Sequence, residues 1–206
     1  MVDREAAAWL SVRVELIGGR TAGELWPRPG RVFVVSSLDT FHDFAEAIDD
    51  AFARWDRSHL HEFRLPKPGK SVTEFSYIDD VDPAKELDAE SVRLGDVLEP
   101  GDEFEYIFDL GDMWRHRCVV DDTEVDAVDM LGRLPLRPFM TWGWGLIPDP
   151  YGRFFEDETA DPESRIPGPP DEWPWGNAGD AEAMTLHLPG TYTLTIDRRP
   201  RDPEDE

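Results

Sequence analysis

The stretch at residues 104–120, FEYIFDLGDMWRHRCVV, constrains the fold more than any other part of the chain. Its two halves alternate with a period of two residues, which is the period of a β-strand. Phe104 and Tyr106 share one face of the first half, and Trp114 and His116 share one face of the second half. A polar segment that contains a glycine separates the two halves. The pattern therefore predicts a β-hairpin with one apolar face.

The alternation also predicts the length of the turn. A two-residue loop would place the aromatic side chains of the first strand on the same face as Arg115 and Arg117. The three-residue loop Asp109-Leu110-Gly111 avoids this and puts a glycine where a left-handed residue is favoured. It gives the pairs Phe108 with Asp112, Tyr106 with Trp114, and Phe104 with His116. We therefore expect His116 on the buried face beside Trp114 and Cys118, where its ring requires a polar partner.

The rest of the first 121 residues predicts one helix and several further strands. Apolar residues between positions 38 and 55 recur at steps of three and four, which predicts a helix over 39–54 with Ser37 or Asp39 as its N-cap. Strand patterns occur at residues 10–17, 31–35, 59–65 and 72–78. Together they predict an α+β fold in residues 9–121, an antiparallel β-sheet with one main amphipathic helix packed on it.

The composition changes after residue 121. Residues 122–183 are rich in tryptophan, proline and glycine, which predicts an irregular C-terminal cover docked through its aromatic side chains as far as Phe155. Within this extension, composition favours mobility from residue 156 to 171. Residues 184–197 predict a return to the core, with a final strand at 191–197 that closes the sheet. A disordered tail is expected at 198–206.

Charge and cysteine content limit the possible partners and the compartment. The formal net charge of -24 repels phosphate backbones, so we expect no nucleic-acid partner. No signal peptide and no apolar run long enough to span a bilayer are visible, so we expect a cytoplasmic protein without membrane contact. A single cysteine excludes an internal disulfide, and Cys118 is interpreted as a small buried residue.

The candidate binding site combines the hairpin with the segment SHLHEF at residues 58–63. Its candidate residues are His59, His61, Glu62, Tyr106, Asp109, Asp112, Trp114 and His116. Three interpretations remain open. In the first, His61 or His116 forms a hydrogen bond with an aspartate under Trp114 and fixes the strand register. In the second, the histidines and carboxylates bind a divalent metal. In the third, Trp114, Tyr106 and the histidines line a cleft with the tryptophan-rich segment as its lid.

These pieces, in this order, resemble the Ri-plasmid open-reading-frame-three-like family, some of whose members are passenger proteins of mobile insertion elements. The matching pieces are Leu25-Trp26, Phe41-His42, His59-Leu60-His61-Glu62-Phe63 and the hairpin from Tyr106 to His116. The resemblance covers about residues 9–121 and implies an α+β fold with an antiparallel sheet and one main helix. Many members continue with a P-P-E-D-C-G-G segment, which this chain does not have. The resemblance does not indicate what the protein does.

Known catalytic motifs offer little support for an enzyme. The chain shows neither a glycine-rich phosphate loop nor a serine in a nucleophile elbow. We therefore expect a non-catalytic binding or interaction module whose ligand is an unidentified protein or small molecule, and no cofactor is predicted. The alternative is a metal-dependent, hydrolase-like enzyme that uses His59, His61, Asp112 and His116, with a divalent metal as its cofactor.

Overall fold

The computed structural model describes residues 4–20, 22–54, 56–67, 69–77, 81–145 and 147–148, and the backbone of residues 183–187 and 193–197. The strands are β1 (Trp9–Gly19), β2 (Gly23–Glu24), β3 (Gly30–Ser36), β4 (His61–Leu65), β5 (Lys70–Thr73), β6 (Glu86–Asp88), β7 (Glu103–Phe108), β8 (Trp114–Val120), β9 (Phe139–Trp144), β10 (Ala183–His187) and β11 (Thr193–Asp197). The helices are α1 (Phe41–Ala51) and α2 (Ala127–Leu131). None of the described helices is long and apolar enough to cross a bilayer.

Nine of the strands form one large sheet. Its order is β6-β5-β4-β7-β8-β1-β3-β9, and β2 pairs with the end of β1. Neighbouring strands are antiparallel except β5 and β6, which run parallel. The sheet is therefore mixed, and the predicted purely antiparallel sheet is wrong at this edge. Residues 74–85 connect the two strands, and a connection of this length lets the chain return so that β6 runs in the same direction as β5.

The main helix packs on one face of this sheet through aromatic side chains. Phe44 lies between Phe33 of β3 and Phe63 of β4, with ring centroids 5.5 and 6.1 Å away. Phe41 contacts Phe63 at 5.0 Å and Phe104 of β7 at 6.5 Å. Each fully buried aromatic or aliphatic side chain stabilises the fold by roughly 1.5–3 kcal/mol. This interface confirms the predicted apolar stripe, because the same residues that set its period fill the core.

The helix begins at Phe41, two residues later than predicted, and ends at Ala51, three residues earlier than predicted. Thr40 is the N-cap, and its side chain accepts a hydrogen bond from the backbone N–H of Asp43, whose carboxylate in turn accepts from the Thr40 N–H. This is a capping box, which satisfies two amide groups at once. Asp39 does not cap the helix, because its carboxylate accepts from the Ser36 N–H at 2.8 Å and pairs with Arg4 at 2.8 Å. The predicted cap at Ser37 or Asp39 is therefore wrong.

The second face of the sheet is covered only in part. Trp9 and Val34 pack there against Ala127 of α2, which forms a small second apolar cluster. Farther along, the exposed side chains of β7 and β8 form cross-strand ion pairs instead. One side of the sheet thus carries the main core, and among the described residues only α2 packs on the other side.

The segment after residue 121 contains more regular structure than its composition indicated. Its described residues form α2 and the edge strand β9, which pairs antiparallel with β3 and buries Trp142 and Trp144. The predicted final strand at 191–197 corresponds to β11. That strand pairs with β10 in a separate two-stranded sheet and does not close the large sheet. Phe155, the mobile segment at 156–171 and the tail at 198–206 lie outside the described residues.

Gly30 offers a direct test of the β3–β9 packing. A Cβ atom at this position would overlap the indole ring of Trp144, whose Nε1–H is held by the Arg28 carbonyl at 2.7 Å. We expect Gly30→Ala to lower the free energy of unfolding by about 1–3 kcal/mol in urea denaturation, because the ring must move out of its site. In a Trp144→Leu background the same alanine should cost far less. Equal costs in both backgrounds would contradict this packing.

Candidate functional site

The hairpin turn is longer than predicted. The observed pairs are Phe108 with Trp114, Tyr106 with His116, and Phe104 with Cys118. The loop therefore spans five residues, 109–113, and the predicted three-residue loop is wrong. Asp109 and Met113 hold the left-handed positions, with φ of 57° and 54°, so Gly111 is not the left-handed residue of the turn. The face assignment survives, because lengthening the loop by two residues preserves the alternation.

Asp109 supplies the side chain that shapes this turn. Its Oδ1 accepts hydrogen bonds from the backbone N–H of Gly111 at 2.8 Å and of Asp112 at 3.1 Å. Its Oδ2 lies 3.2 Å from Nδ1 of His59, which joins the loop before β4 to the hairpin. In the structure Asp112 contributes its carbonyl, which accepts from the Arg20 N–H at 2.6 Å.

His116 is completely buried, with 0% of its surface exposed. Its Nδ1 donates to the Tyr106 carbonyl at 3.2 Å, and its Nε2 accepts from Nη2 of Arg54 at 3.3 Å. These partners require the neutral Nδ1–H tautomer, since a carbonyl only accepts and a guanidinium only donates. Burial, followed by the charge of Arg54, holds the pKa of His116 well below its usual value. The ring is therefore neutral and has no access to solvent.

Arg54 is the partner that the sequence did not reveal. It follows α1, is 1% exposed, and places its guanidinium carbon 4.8 Å from the Trp114 ring and 5.5 Å from the Phe108 ring. The positive charge of Arg54 is therefore stabilised by cation–π contacts with these two rings and by the hydrogen bond to His116. No periodic signal marks this residue, because it lies just beyond the end of the helix.

A second buried pair joins the same hairpin to α1. The Tyr106 hydroxyl donates to Oδ1 of Asp49 at 2.7 Å, and Arg57 lies 3.4 Å from Oδ2. Burial raises the pKa of Asp49 to about 7, against the opposing effects of the Tyr106 hydrogen bond and the nearby arginines. Asp49 was not among the candidate residues predicted from the sequence. Its spacing from Ala45 and Phe52 places it within the apolar stripe of α1, and this spacing could have identified it.

We call Asp49, Arg54, Tyr106 and His116 the core polar network. Like the hydrogen-bonded network predicted from the sequence, it links secondary-structure elements, here α1 with β7 and β8. The hydrogen-bond partners differ from the predicted ones. The aspartate bonds the tyrosine, whereas the histidine bonds an arginine and a carbonyl. The predicted histidine–aspartate hydrogen bond under Trp114 is therefore wrong for His116.

His61 lies on the other side of Tyr106 from His116. Its ring centroid is 5.7 Å from the Tyr106 ring, which in turn is 5.4 Å from the His116 ring. Its Nε2 lies 4.0 Å from Oε1 of Glu74, and the same oxygen lies 2.6 Å from Nδ1 of His42. Burial, against the attraction of Glu74, lowers the pKa of His61. The tyrosine ring thus separates the two histidines that were predicted to share one site.

The remaining candidate residues do not join these groups. Glu62 lies on the opposite face of the sheet, where it accepts from Arg64 at 3.1 Å. Trp114 and Tyr106 are 2% and 0% exposed, so they fill the core and do not line an open cleft. Within the described part of the chain, no three or more histidine, cysteine or acidic side chains form a group that could hold a metal ion. His59, His61, Asp112 and His116 therefore do not converge as ligands.

Two open depressions lie on the surface away from this network. The outer basin, about 620 Å³, lies over β4, β5, β7 and β8 and is lined by Arg64, Lys70, Glu103, Glu105, Arg115 and Arg117. Its charges are largely paired, Arg117 with Glu103 at 2.7 Å and Arg115 with Glu105 at 3.0 Å. The α2 groove, about 670 Å³, lies between residues 5–9 and α2.

The α2 groove has an apolar base and an acidic edge. Trp9, Ala127 and Leu134 form its base, and Glu5, Glu124 and Asp126 lie along its edge. The described residues that line it include no lysine, arginine or histidine. Of these two depressions, the α2 groove differs in that its described lining contains carboxylates and no basic side chain.

Comparisons with known proteins bear on both the fold and the family of this chain. A search of curated proteins finds no match. A crystal structure of a protein of unknown function, MM3350 from Methanosarcina mazei Go1, is similar at 22% identity with a TM-score of 0.50, over 66% of this chain and 69% of that one. At this identity the likeness shows a shared fold only. The family model described as plasmid pRiA4b ORF-3-like protein matches residues 10–139, more than half of the chain. The chain therefore belongs to the plasmid pRiA4b ORF-3-like family.

Proposed function

We propose that this chain is a non-catalytic binding module of the cytoplasm, with its binding surface outside the histidine-rich core. The observation that carries the proposal is the complete burial of His116 with both ring nitrogens engaged. A general acid or base must reach the proton that it transfers, within hydrogen-bond distance or through one water. A neutral imidazole enclosed by Arg54, Tyr106 and Phe52 has no such reach. Its role in the proposal is to set the geometry of the hairpin.

The positions of the other histidines support the same conclusion. Nδ1 of His59 lies 3.2 Å from Oδ2 of Asp109, and its Nε2 lies 3.5 Å from Oδ2 of Asp56. Both ring nitrogens therefore contact carboxylates of neighbouring loops. A cation beside Nε2 of His116 would face the guanidinium of Arg54, which repels it. The metal-dependent enzyme would need these groups to separate from their present partners and converge on one point. The binding module needs no such rearrangement.

Metal content and stability distinguish the two functions. We expect elemental analysis of the purified protein to find no stoichiometric zinc, manganese or iron, and no turnover of ester or phosphoester substrates with added metal. His116→Ala should lower the free energy of unfolding by about 1–3 kcal/mol, because Arg54 loses a buried partner. His59→Ala, at a partly exposed site, should cost less.

The proposal fails on one combination of results. Stoichiometric metal that is lost in both His59→Ala and His61→Ala, with unchanged far-UV circular dichroism, would indicate the enzyme. Turnover that disappears in the same two variants would lead to the same conclusion.

A further inference from the structure

We propose that His42, Glu74 and His61 form a pH-sensitive switch, in which a proton taken up by His61 draws the Glu74 carboxylate away from His42 and toward His61. The three side chains come from different parts of the fold: α1, the segment that follows β5, and β4. Movement of the carboxylate changes how the segment at 74–77 is held against α1 and β4.

The strand register brings the carboxylate and His61 together. β4 and β5 are antiparallel, with Phe63 paired with Val72. The same register, continued to the first residue of β4, places Glu74 opposite His61 on the face where Phe63 and Val72 are buried. Side chains directly opposite each other on one face of an antiparallel pair are close enough to interact. This face packs against α1, which supplies His42.

Glu74 satisfies only one of the two histidines in the present arrangement. Its Oε1 lies 2.6 Å from Nδ1 of His42, within hydrogen-bond distance, and 4.0 Å from Nε2 of His61, beyond that distance. The His61 side chain is only 9% exposed, and its Nε2 is buried without a hydrogen-bond partner among the described residues. A buried polar atom without a partner costs free energy. A small movement of the carboxylate would provide the missing partner.

The other charged and titratable groups that face His61 come from three places. Glu46 of α1 favours a charged His61 ring and Arg57 before β4 opposes it, and these two side chains lie 3.5 Å apart. Tyr106 of β7 packs its ring against His61, but its hydroxyl donates to a carboxylate of α1. Glu74 has a larger attractive effect than Glu46. A charged His61 therefore depends mainly on Glu74.

Protonation makes the unformed contact between His61 and Glu74 attractive. In the imidazolium both ring nitrogens are donors, so Nε2–H carries positive charge toward the carboxylate. A movement of about 1 Å would convert the 4.0 Å separation into a charge-assisted hydrogen bond. Burial lowers the pKa of His61 and outweighs the attraction of Glu74 at the present distance. The proton is therefore better accommodated after the carboxylate has moved.

The segment at 74–77 is anchored weakly enough to follow the carboxylate. Phe75–Tyr77 form a single 3₁₀ turn in which no residue is buried, and Tyr77 is 67% exposed. The Phe75 N–H reaches Oδ1 of Asp88 only at 3.5 Å, and the Tyr77 N–H bonds within the segment at 3.2 Å. Few buried contacts and long hydrogen bonds are features of segments that rearrange at low cost.

The test follows the histidine ring protons and the backbone amides of residues 74–77 by NMR, with the full chain titrated from about pH 8 to about pH 5. In the wild-type protein we expect the Phe75–Tyr77 amide signals to shift with the same midpoint as the His61 ring. His61→Phe should abolish this transition, because it fills the same space without a titratable nitrogen. His61→Gln replaces it if the phenylalanine variant does not fold. A His61 ring that does not titrate in this range would overturn the switch.

Variants of the two partners test whether the carboxylate moves. His42→Asn removes the competitor for Glu74 and should raise the pKa of His61. Glu74→Gln keeps an acceptor oxygen but removes the charge, so the pKa of His61 should fall. In this second variant the Phe75–Tyr77 amides should no longer follow the His61 midpoint. Amides that still follow it would show a direct effect of the His61 charge and would contradict a moving carboxylate.

Glu99→Gln is the matched control for Glu74→Gln. Glu99 is exposed in the loop before β7, and its substitution makes the same change in net charge. Both the His61 titration and the amide transition should stay as in the wild-type protein. An equal change in the two glutamine variants would overturn the proposal, since net charge alone would then explain it. No measurement in this series uses a ligand, so its failure would leave the proposed binding function unaffected.

Discussion

Replacing Asp49 by asparagine should remove a pH dependence of stability that this carboxyl imposes on the fold. Burial raises its pKa to about 7, from the 3.8 that is usual for an aspartate. Between these two values the folded state binds the proton more tightly than the unfolded state does. Its contribution is complete below pH 3.8 and is lost as the pH rises toward 7. From pH 5.5 to 8 the wild-type protein should therefore lose about 2 kcal/mol relative to Asp49→Asn.

The measurement is urea denaturation of both proteins at several pH values above 5.5, well clear of the isoelectric point of about 4.4. Asp50→Asn is the matched control, because Asp50 is adjacent, exposed and also paired with Arg57. It carries the same charge change without the burial, so its stability should follow the wild-type pH curve. Parallel curves for the wild type and Asp49→Asn would show that the Asp49 carboxyl does not titrate in this range.

Replacing Arg54 by alanine should cost more than any other single change in the core polar network, about 3–5 kcal/mol at pH 7. The change removes a fully buried side chain from between Trp114 and Phe108 and leaves Nε2 of His116 without its donor. Both a cavity and an unsatisfied polar atom result. Urea denaturation followed by tryptophan fluorescence would measure the loss, provided that the variant folds.

Arg54→Met keeps the prediction testable if the alanine variant does not fold. Methionine restores most of the volume but not the donor, so we expect a smaller cost of about 1–3 kcal/mol. The pKa of His116, followed by NMR, should rise in this variant because one of its two lowering causes is removed. Arg64→Ala serves as the control, since that arginine is half exposed and pairs with Glu62, and it should cost less than about 1 kcal/mol. An Arg54→Ala cost no larger than this control would contradict the packing.

The differences between expectation and structure follow a physical pattern. The hairpin loop was misjudged by two residues because alternation reports only which face a residue occupies, and odd loop lengths of three and five preserve it equally. Asp109 and Met113 adopt left-handed backbone angles although neither is a glycine, so no glycine marked these turn positions in the sequence. β9 was missed because Thr-Trp-Gly-Trp lacks a clean period, and only its pairing with β3 makes it a strand.

The site was harder to predict than the fold for a related reason. The residues in the hairpin were correctly placed on a buried face, but their partners Asp49 and Arg54 come from the end of α1. Side chains more than 50 positions apart meet there, with Asp49 and Tyr106 separated by 57 positions. Burial of a charged residue depends on what surrounds it, and the surroundings of Arg54 are three aromatic or imidazole rings from another part of the chain.

The amino-acid sequence by itself determined the faces: which side of α1, β7 and β8 is apolar, and hence that His116 would lie inside. Those assignments depend on spacing within single segments, and spacing is a local property. Only the tertiary structure decided what His116 touches, where the chain presents open surface, and which strands are neighbours. These depend on contacts between distant segments, whose energies a local pattern does not contain.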